Sequence, residues 1–446
     1  MNGLEAEKVL SNKRIFEVQE RNTSMEKILS TNQNPNYKKL LPYLFNQQFD
    51  ESYALLSHYI QLQGNDEAAE YKKILLEHGI EIEHLPSTDS FNKKFGIPFQ
   101  SDKDSKFTFI DLFAGIGGFR LAMQKLGGKC VFSSEWDDAA KQTYFENYGE
   151  VPFGDITKPE TKALIPQKFD VLCAGFPCQP FSYSGQKLGF KDKTKGTLFF
   201  DVCEILKERQ PQAFFLENVK GIVSHENGKT IETIRSILTD ELGYDIHESV
   251  LCSLDFGLPQ KRERWYCVGF KKKVAFEFPK GTHRGAVLRD IIDLDDNDPS
   301  LILPQFELER IKYHFEHADE VRVKHDNSKY APNTKKGKYG VYSFQKPDGS
   351  LRFHVGDPAK TQIQEAFYSC LDSYASTIIA NRTPKLWDIK RKLSVRESAR
   401  LQGFPDDFKI PVSAAQAYKQ FGNSVSVPVL TEIVKCIIKN LKLEDE

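Results

Sequence analysis

The chain has 446 residues, 40% of them hydrophobic, and a formal net charge of −1. That is enough apolar material for a buried core and two or three domains, and the near-neutral balance excludes a nucleic-acid partner announced by global charge alone. No apolar run reads as long enough to span a bilayer, the opening MNGLEAEKVLSNKR lacks the apolar core of a signal peptide, and the eight cysteines stand singly with no CxxC pair. Neither a zinc site, nor any other metal, nor a disulfide framework is therefore expected, and a reducing cytoplasm fits.

Residues 1–100 read as a helical extension. Apolar residues recur at helical spacing in KKLLPYLFNQQFDESYALLSHYIQLQG and again in DEAAEYKKILLEHGI, with Gly64-Asn65 between them. A linker is expected from about Leu85 to Lys106. At Phe107 the texture changes. FTFIDLFAG reads as a buried strand entering a glycine turn, and FRLAMQKLG as a helix. CVFSSEW, FDVLCAGF, AFFLENV and WYCVGF read as further strands. DDAAKQTYFENYG, LFFDVCEILKERQ and TIETIRSILTDELG read as helices between them. Such alternation predicts an α/β fold with a doubly wound, mostly parallel sheet over 107–270. Residues 271–390 lose the alternation and read as a smaller irregular domain. A helical return to the first domain is expected over 391–446.

Several motifs sit at expected strand ends. In DLFAGIGGF, Asp111 to Phe119, glycines between strand and helix let backbone approach a ligand at a helix N-terminus. The spacing is not GxGxxG, which argues against a dinucleotide and leaves adenosine-type ligands open. Glu135 could accept from both ribose hydroxyls and Trp136 could stack on adenine. Taken alone, the pair reads better as a surface acid beside a packed ring. Asp155, in GDI, reads as another acid at a strand end. Cys178, in AGFPCQPFS, follows a proline in a loop just after a strand, where a reactive thiol would sit. A lone cysteine is more often a small buried hydrophobe. Glu217 ends FFLENV, where burial would raise its pKa and let it carry a proton. In QKRERWY, Gln260, Arg262 and Arg264 alternate; arginines two apart on a strand would face one side and could clamp a base oxygen or phosphate. Lys261, Arg262, Arg264 and Lys271 to Lys273 read as one basic cluster. Lys324, Lys329, Lys335, Lys336, Lys338, Lys346 and Arg352 read as a looser second one.

The ordered set DLFAGIGGF, SSEW, GDI, GFPCQPFS, GTLFF, ENV, QKRER, RKLSVRESARLQGFP and QAYKQFGNSV resembles the cytosine-5 DNA methyltransferases of bacterial restriction-modification systems. The resemblance runs from about Phe107 to the C-terminus and weakens between 271 and 390. It implies the class I S-adenosylmethionine-dependent methyltransferase fold, with 271–390 as a target-recognition domain. It implies a cofactor pocket of Phe113, Gly115, Gly117, Glu135, Trp136, Asp155, Ile156, Pro177, Leu198, Asn423 and Ser424, holding S-adenosylmethionine. Cys178 matches the nucleophile, Glu217 the acid that contacts the cytosine ring, and Arg262 and Arg264 the catalytic arginine pair. Ser184 to Lys195 matches a mobile loop that closes over DNA. Ser184, Gln260, Thr377 and Arg382 are expected to touch DNA, with Asn381 beside them. The family's Thr-Leu dipeptide appears as Thr377-Ile378.

The expected partner is double-stranded DNA, bound by a monomer, with no membrane and with a companion restriction endonuclease acting separately. Two rival readings stay open at this point: an RNA cytosine-5 methyltransferase, and a DNA-binding regulator built on a methyltransferase core. Residues 1–100 carry none of the motifs, so cofactor binding is expected to survive their removal.

Overall fold

A computed structural model describes residues 51–77, 82–102, 104–177, 198–281, 285–317, 322–325, 340–356, 364–380 and 382–441. Among the described residues three helices come first: α1 (Glu51–Leu62), α2 (Ala68–Glu77) and α3 (Thr88–Phe95). The last occupies the segment expected to be a linker. Ser87 caps it and Gly96 ends it in the left-handed conformation. The α/β unit follows as β1 (Phe107–Leu112), α4 (Gly118–Gln124), β2 (Gly128–Ser134), α5 (Asp138–Tyr148), β3 (Val171–Gly175), α6 (Leu198–Arg209), β4 (Ala213–Val219), α7 (Lys229–Ser236), β5 (Asp245–Cys252), β6 (Gln260–Lys261) and β7 (Glu263–Phe270).

These strands, β6 apart, form one six-stranded sheet in the order β2-β1-β3-β4-β7-β5. The first four are parallel. β7 runs antiparallel between β4 and β5. Its start therefore reaches the edge where β1 to β4 end, which is where ligands bind in open α/β sheets. Successive side chains point to opposite faces. Ile110, Leu112, Leu172, Ala174, Phe214 and Leu216 pack on one face with residues of α1, α2, α6 and α7. Phe109, Val171, Cys173, Ala213 and Phe215 pack on the other with α4, α5 and the C-terminal helices.

The N-terminal helices thus belong to the catalytic unit's own core. Leu56, Ile60, Tyr71 and Leu75 are each 1% exposed against the sheet. This corrects the expectation of a separable extension: its apolar stripe is covered by the sheet rather than by a bundle of its own.

The segment beyond β7 is also more regular than its composition suggests. After α8 (Gln305–Glu316) come β8 (Val323–His325), β9 (Gly340–Gln345), β10 (Leu351–Gly356), β11 (Gln364–Ser369), β12 (Ala375–Ser376), β13 (Lys385–Leu386) and β14 (Arg391–Lys392). A second six-stranded sheet runs β14-β13-β11-β10-β9-β8. Leu303, Ile311, Leu351, Phe353 and Tyr368 make its small core. Phe276, Leu288 and Ile292, by contrast, pack into the catalytic core, as do Leu371, Ile378 and Leu386 further on. β12 pairs with β6 and ties the two units together.

The return consists of α9 (Val395–Leu401), α10 (Ala414–Asn423) and α11 (Val427–Ile438). By length and composition the stretch Ala414–Ile438 could cross a membrane, contrary to the sequence reading. It is broken between α10 and α11, and α11 buries Val429, Leu430, Ile433, Val434 and Ile437 in the core.

An arginine–glutamate pair lies wholly inside. Arg120 Nη1 meets Glu150 Oε1 at 2.6 Å, with side chains 1% and 0% exposed. Burial alone would raise the Glu150 carboxyl, but Arg120 and His58 beside it hold it down from 4.5 to about 2. A carboxyl depressed on folding stabilises in full above its unfolded pKa and loses that contribution as pH falls toward 2. Glu150→Ala leaves Arg120 buried without its counter-charge, which costs about 3–5 kcal/mol. Urea unfolding at pH 7 should show that loss, and the gap to the wild type should narrow as the acid limit is approached.

Candidate active site

The glycine turn after β1 is bent where only special residues fit. Phe113 has φ 55°, Gly115 55° and Gly117 84°. Glycine takes this region freely, whereas a side chain such as Phe113 pays roughly 1–3 kcal/mol for it. A Cβ on Gly117 would lie 2.3 Å from the Tyr148 ring, whose hydroxyl donates to the Gly117 carbonyl at 2.7 Å. A Cβ on Gly118 would lie 2.5 Å from Val425 of the C-terminal return. The turn is thereby pinned from two sides, and its backbone faces a cavity of about 710 Å³.

The cavity brings together residues that are far apart in the chain. Phe113, Gly115, Glu135, Trp136, Asp155, Ile156, Pro177, Leu198, Glu217, Arg262, Arg264, Asn423 and Ser424 all line it. Gly117, in the same turn, is not one of the lining residues. Glu135 is 8% exposed. Its Oε2 accepts from the Gly115 N–H at 2.8 Å, and its Oε1 from Trp136 and Asp137 N–H at 2.9 and 2.8 Å. Burial raises its pKa against the pull of those three bonds. A carboxylate offers about four acceptor sites, so little capacity remains beyond one ligand bond. Trp136 beside it is 80% exposed, an open ring face at the rim. Asp155 does not end a strand, as expected; it follows an isolated bridge at Phe153 and its Oδ1 accepts from Thr157 N–H.

Across the cavity, Glu217 near the end of β4 is 8% exposed. In the β4–β7 ladder Arg264 sits opposite Val219. The diagonal neighbour Glu217 is therefore within its reach, and Arg264 Nε stands 3.2 Å from Glu217 Oε1. Burial raises the Glu217 pKa and outweighs the two arginines that lower it. Asn218, which the sequence reading passed over, is 2% exposed and donates to the Phe176 carbonyl at 2.9 Å. It fixes the backbone that leads through Pro177 to Cys178. Cys178 itself, Ser184, the 184–195 loop and Asn381 lie outside the described residues.

Three expectations need correction. Arg262 is not on the strand with Arg264, because β7 begins at Glu263. It is 3% exposed and donates to the Ile378 and Ser424 carbonyls, joining the second unit to the C-terminal return. Gln260 is fully buried. Its amide donates to Leu401 O and Gln402 Oε1 and accepts from Ile378 N–H, so it offers nothing to DNA. The first basic cluster is split: Lys271 follows the eight residues of β7, about 25 Å from Arg264's end. Thr377 and Arg382 instead line a smaller groove with Phe367 and Lys385. The Arg382 guanidinium lies 5.3 Å from the Phe367 ring centre, and Thr377 donates to the Lys261 carbonyl.

A nucleoside fits the first cavity. A free carboxylate site on Glu135, an exposed indole and a close-approach glycine turn converge there, and no group of three or more His, Cys, Asp or Glu among the described residues could hold a metal ion.

Comparison with known proteins agrees. The family model for C-5 cytosine-specific DNA methylase matches residues 107–439. The chain is 45% identical over 341 residues to the type II methyltransferase M.HpaII of Haemophilus parainfluenzae, covering 75% of this chain and 90% of that one. It is 40% identical over 355 residues to M.HhaI of Haemophilus parahaemolyticus, covering 77% and 98%. Among solved structures, the Dnmt2 methyltransferase of S. pombe shares the fold with a TM-score of 0.52 at 18% identity, covering 75% of this chain and 99% of that one. The ordered motifs, the sheet and the converging cavity have one common reading: the chain belongs to the C-5 cytosine-specific DNA methylase family.

Proposed function

We propose that the 710 Å³ cavity is where a flipped cytosine meets Cys178, and that Glu217 and Arg264 serve the ring while Glu135 and Trp136 hold the nucleoside of the cofactor. The enzyme is a DNA (cytosine-5-)-methyltransferase that uses S-adenosylmethionine. The observation that carries the assignment is the buried Glu217–Arg264 pair at 3.2 Å, set across the cavity from Glu135.

Cytosine carbon 5 is a poor nucleophile, and covalent addition activates it. The Cys178 thiolate adds to carbon 6 and pushes the ring electrons toward nitrogen 3. Glu217, whose carboxyl burial raises above its ordinary range, gives its proton to nitrogen 3. Arg264 orients the Glu217 carboxyl and balances charge on the ring. S-adenosylmethionine, when bound, supplies the electrophilic methyl that carbon 5 takes. The carbon-5 proton leaves to a solvent base, the nitrogen-3 proton returns to Glu217, and expulsion of the thiolate restores the ring and frees Cys178. The base must leave the duplex to reach these groups, at a cost of a few kcal/mol that the pocket and the 184–195 loop offset. Phe113, Gly115, Asp155, Ile156, Leu198, Asn423 and Ser424 complete the cofactor's surroundings.

The test is a duplex containing 5-fluorocytosine. Fluorine cannot leave as a proton does, so an adduct stable to denaturing gel electrophoresis should accumulate at Cys178. Peptide mapping that finds no adduct, or finds it on another cysteine, would overturn the assignment.

The catalytic groups cannot read neighbouring bases, so other side chains do. Thr377 and Arg382, on the groove beside Phe367, are the readers we assign. Arg382→Ala should relax the choice at one base pair by roughly 1–3 kcal/mol. Sequencing of methylated plasmid DNA would show an extra permitted base there; an unchanged site pattern would remove Arg382 from recognition. We place the enzyme in the cytoplasm, as a monomer on DNA, paired with a separate endonuclease in a restriction-modification system.

A further inference from the structure

β2 is the outer strand of the catalytic sheet, and its outward backbone groups need partners. Side chains of the N-terminal helices supply them. Tyr71 donates its hydroxyl to the Val131 carbonyl at 3.0 Å. The Ser133 N–H points to His58 Nε2 at 3.2 Å. Beyond the strand, Val151 N–H donates to Ser57 Oγ at 2.9 Å, and Gln61 donates to the Gly149 carbonyl at 3.2 Å. Ser57 and His58 are fully buried and Tyr71 is 1% exposed. One helix thus meets the β2 edge through His58 and the 149–151 segment through Ser57 and Gln61, while Phe153 bridges to Ser134 beside them.

His58 also reaches the glycine turn's helix indirectly, through Glu150. Its Nδ1 faces the Ala54 carbonyl at 2.8 Å. That carbonyl can only accept, so Nδ1 carries a proton. Nε2 lies 3.1 Å from Glu150 Oε1, and the same oxygen accepts from Arg120 of α4 and from Ser133 Oγ at 2.9 Å. Neutral His58 accepts from Ser133; protonated His58 donates to Glu150. In either form it ties α1 to β2 or, through Glu150 and Arg120, to α4. The ring also stacks on Phe153 at 4.3 Å, in the segment just before Asp155. β2, α4 and this segment are the three supports of the cofactor end of the cavity.

We infer that His58, with Tyr71, is a positioning residue for cofactor binding: the N-terminal segment holds β2 against α4 at the spacing in which Glu135 meets the Gly115 N–H. A role in packing alone would lower melting temperature without moving ligand affinity. The inference rests on reading Glu135 as the carboxylate that holds the cofactor's ribose, so a Glu135 variant belongs in the same experiment.

The experiment uses the full chain, S-adenosylhomocysteine as probe, calorimetry for its Kd, and hydrogen exchange over residues 131–136. His58→Leu should weaken binding roughly tenfold, the scale of one buried donor left unsatisfied, and speed exchange at 131–136. His58→Gln, which offers both an acceptor and a donor near the same reach, should restore the Kd to within about twofold of wild type. Glu135→Ala should weaken binding more than either. Unchanged binding by folded Glu135→Ala overturns the reading of the pocket. Weak binding by Glu135→Ala with wild-type binding by His58→Leu overturns the positioning role alone, as does failure of His58→Gln to recover when it melts like the wild type. If His58→Leu does not fold, Tyr71→Phe, which loses only a hydroxyl, takes its place, and an unchanged Kd and exchange rate there likewise overturn it.

Discussion

Cys178→Ala should bind S-adenosylhomocysteine and duplex DNA with near wild-type affinity and transfer no methyl group. Its neighbours explain both halves of that result. Pro177 lines the cavity, and the backbone just before it is anchored by Asn218 donating to the Phe176 carbonyl. Removing a sulfur from the next residue leaves that anchoring in place, so binding survives. The chemistry does not, because without addition at carbon 6 nothing raises the electron density at carbon 5. The four cysteines of the core cannot substitute. Cys130, Cys173, Cys203 and Cys267 are buried in the core, and burial pushes each thiol well up, away from the thiolate that attacks. Single-turnover methylation with tritiated cofactor, read beside a DNA-binding titration, checks the two halves separately. Transfer by the variant at even a hundredth of the wild-type rate would mean that a different group attacks carbon 6.

Much of this site is legible because it lies where period and turn chemistry agree. β1, β3 and β4 are short apolar runs, buried on both faces, and each ends in a motif. Glycines at 115 and 117 announce the turn between β1 and α4, and the φ values bear that out. The sequence is silent where the decisive contact is made by a residue of ordinary type. Gln260 and Arg262 look like DNA ligands by chemistry alone. Both instead satisfy buried carbonyls of segments more than 100 residues away, a tertiary fact with no local signature. β5 escaped notice because it is half-buried along most of its length and carries no alternation. The second sheet is hidden for a related reason, since β8 is three residues long and β13 and β14 are two each. The helices α1 and α2 were legible as helices, but their stripe does not say what covers it. Only Tyr71 and His58 meeting the β2 edge shows that they complete the sheet.

Glu217→Gln should lower the methylation rate by about 10²–10⁴-fold, the usual worth of a positioned general acid, with little change in cofactor affinity. The geometry supports that separation. Glu217 is on β4 beside Arg264, whereas the nucleoside groups cluster at the ends of β1 and β2. Glutamine keeps the size and can still accept from Arg264, so packing is preserved and only the transferable proton is lost. A pH signature distinguishes this from mere disturbance. Burial raises the Glu217 pKa, outweighing Arg264 and Arg262. The protonated, active form therefore persists above the ordinary carboxylate range and is lost as pH rises through the shifted value. The wild-type rate on flipped or mismatched cytosine should fall on the alkaline side of that point relative to the thiolate-limited rise expected of Cys178. In Glu217→Gln the fall should vanish and the thiolate limb alone remain. A pH profile of the variant that keeps the alkaline fall would assign it to another group, and a wild-type rate in the variant would remove Glu217 from the chemistry.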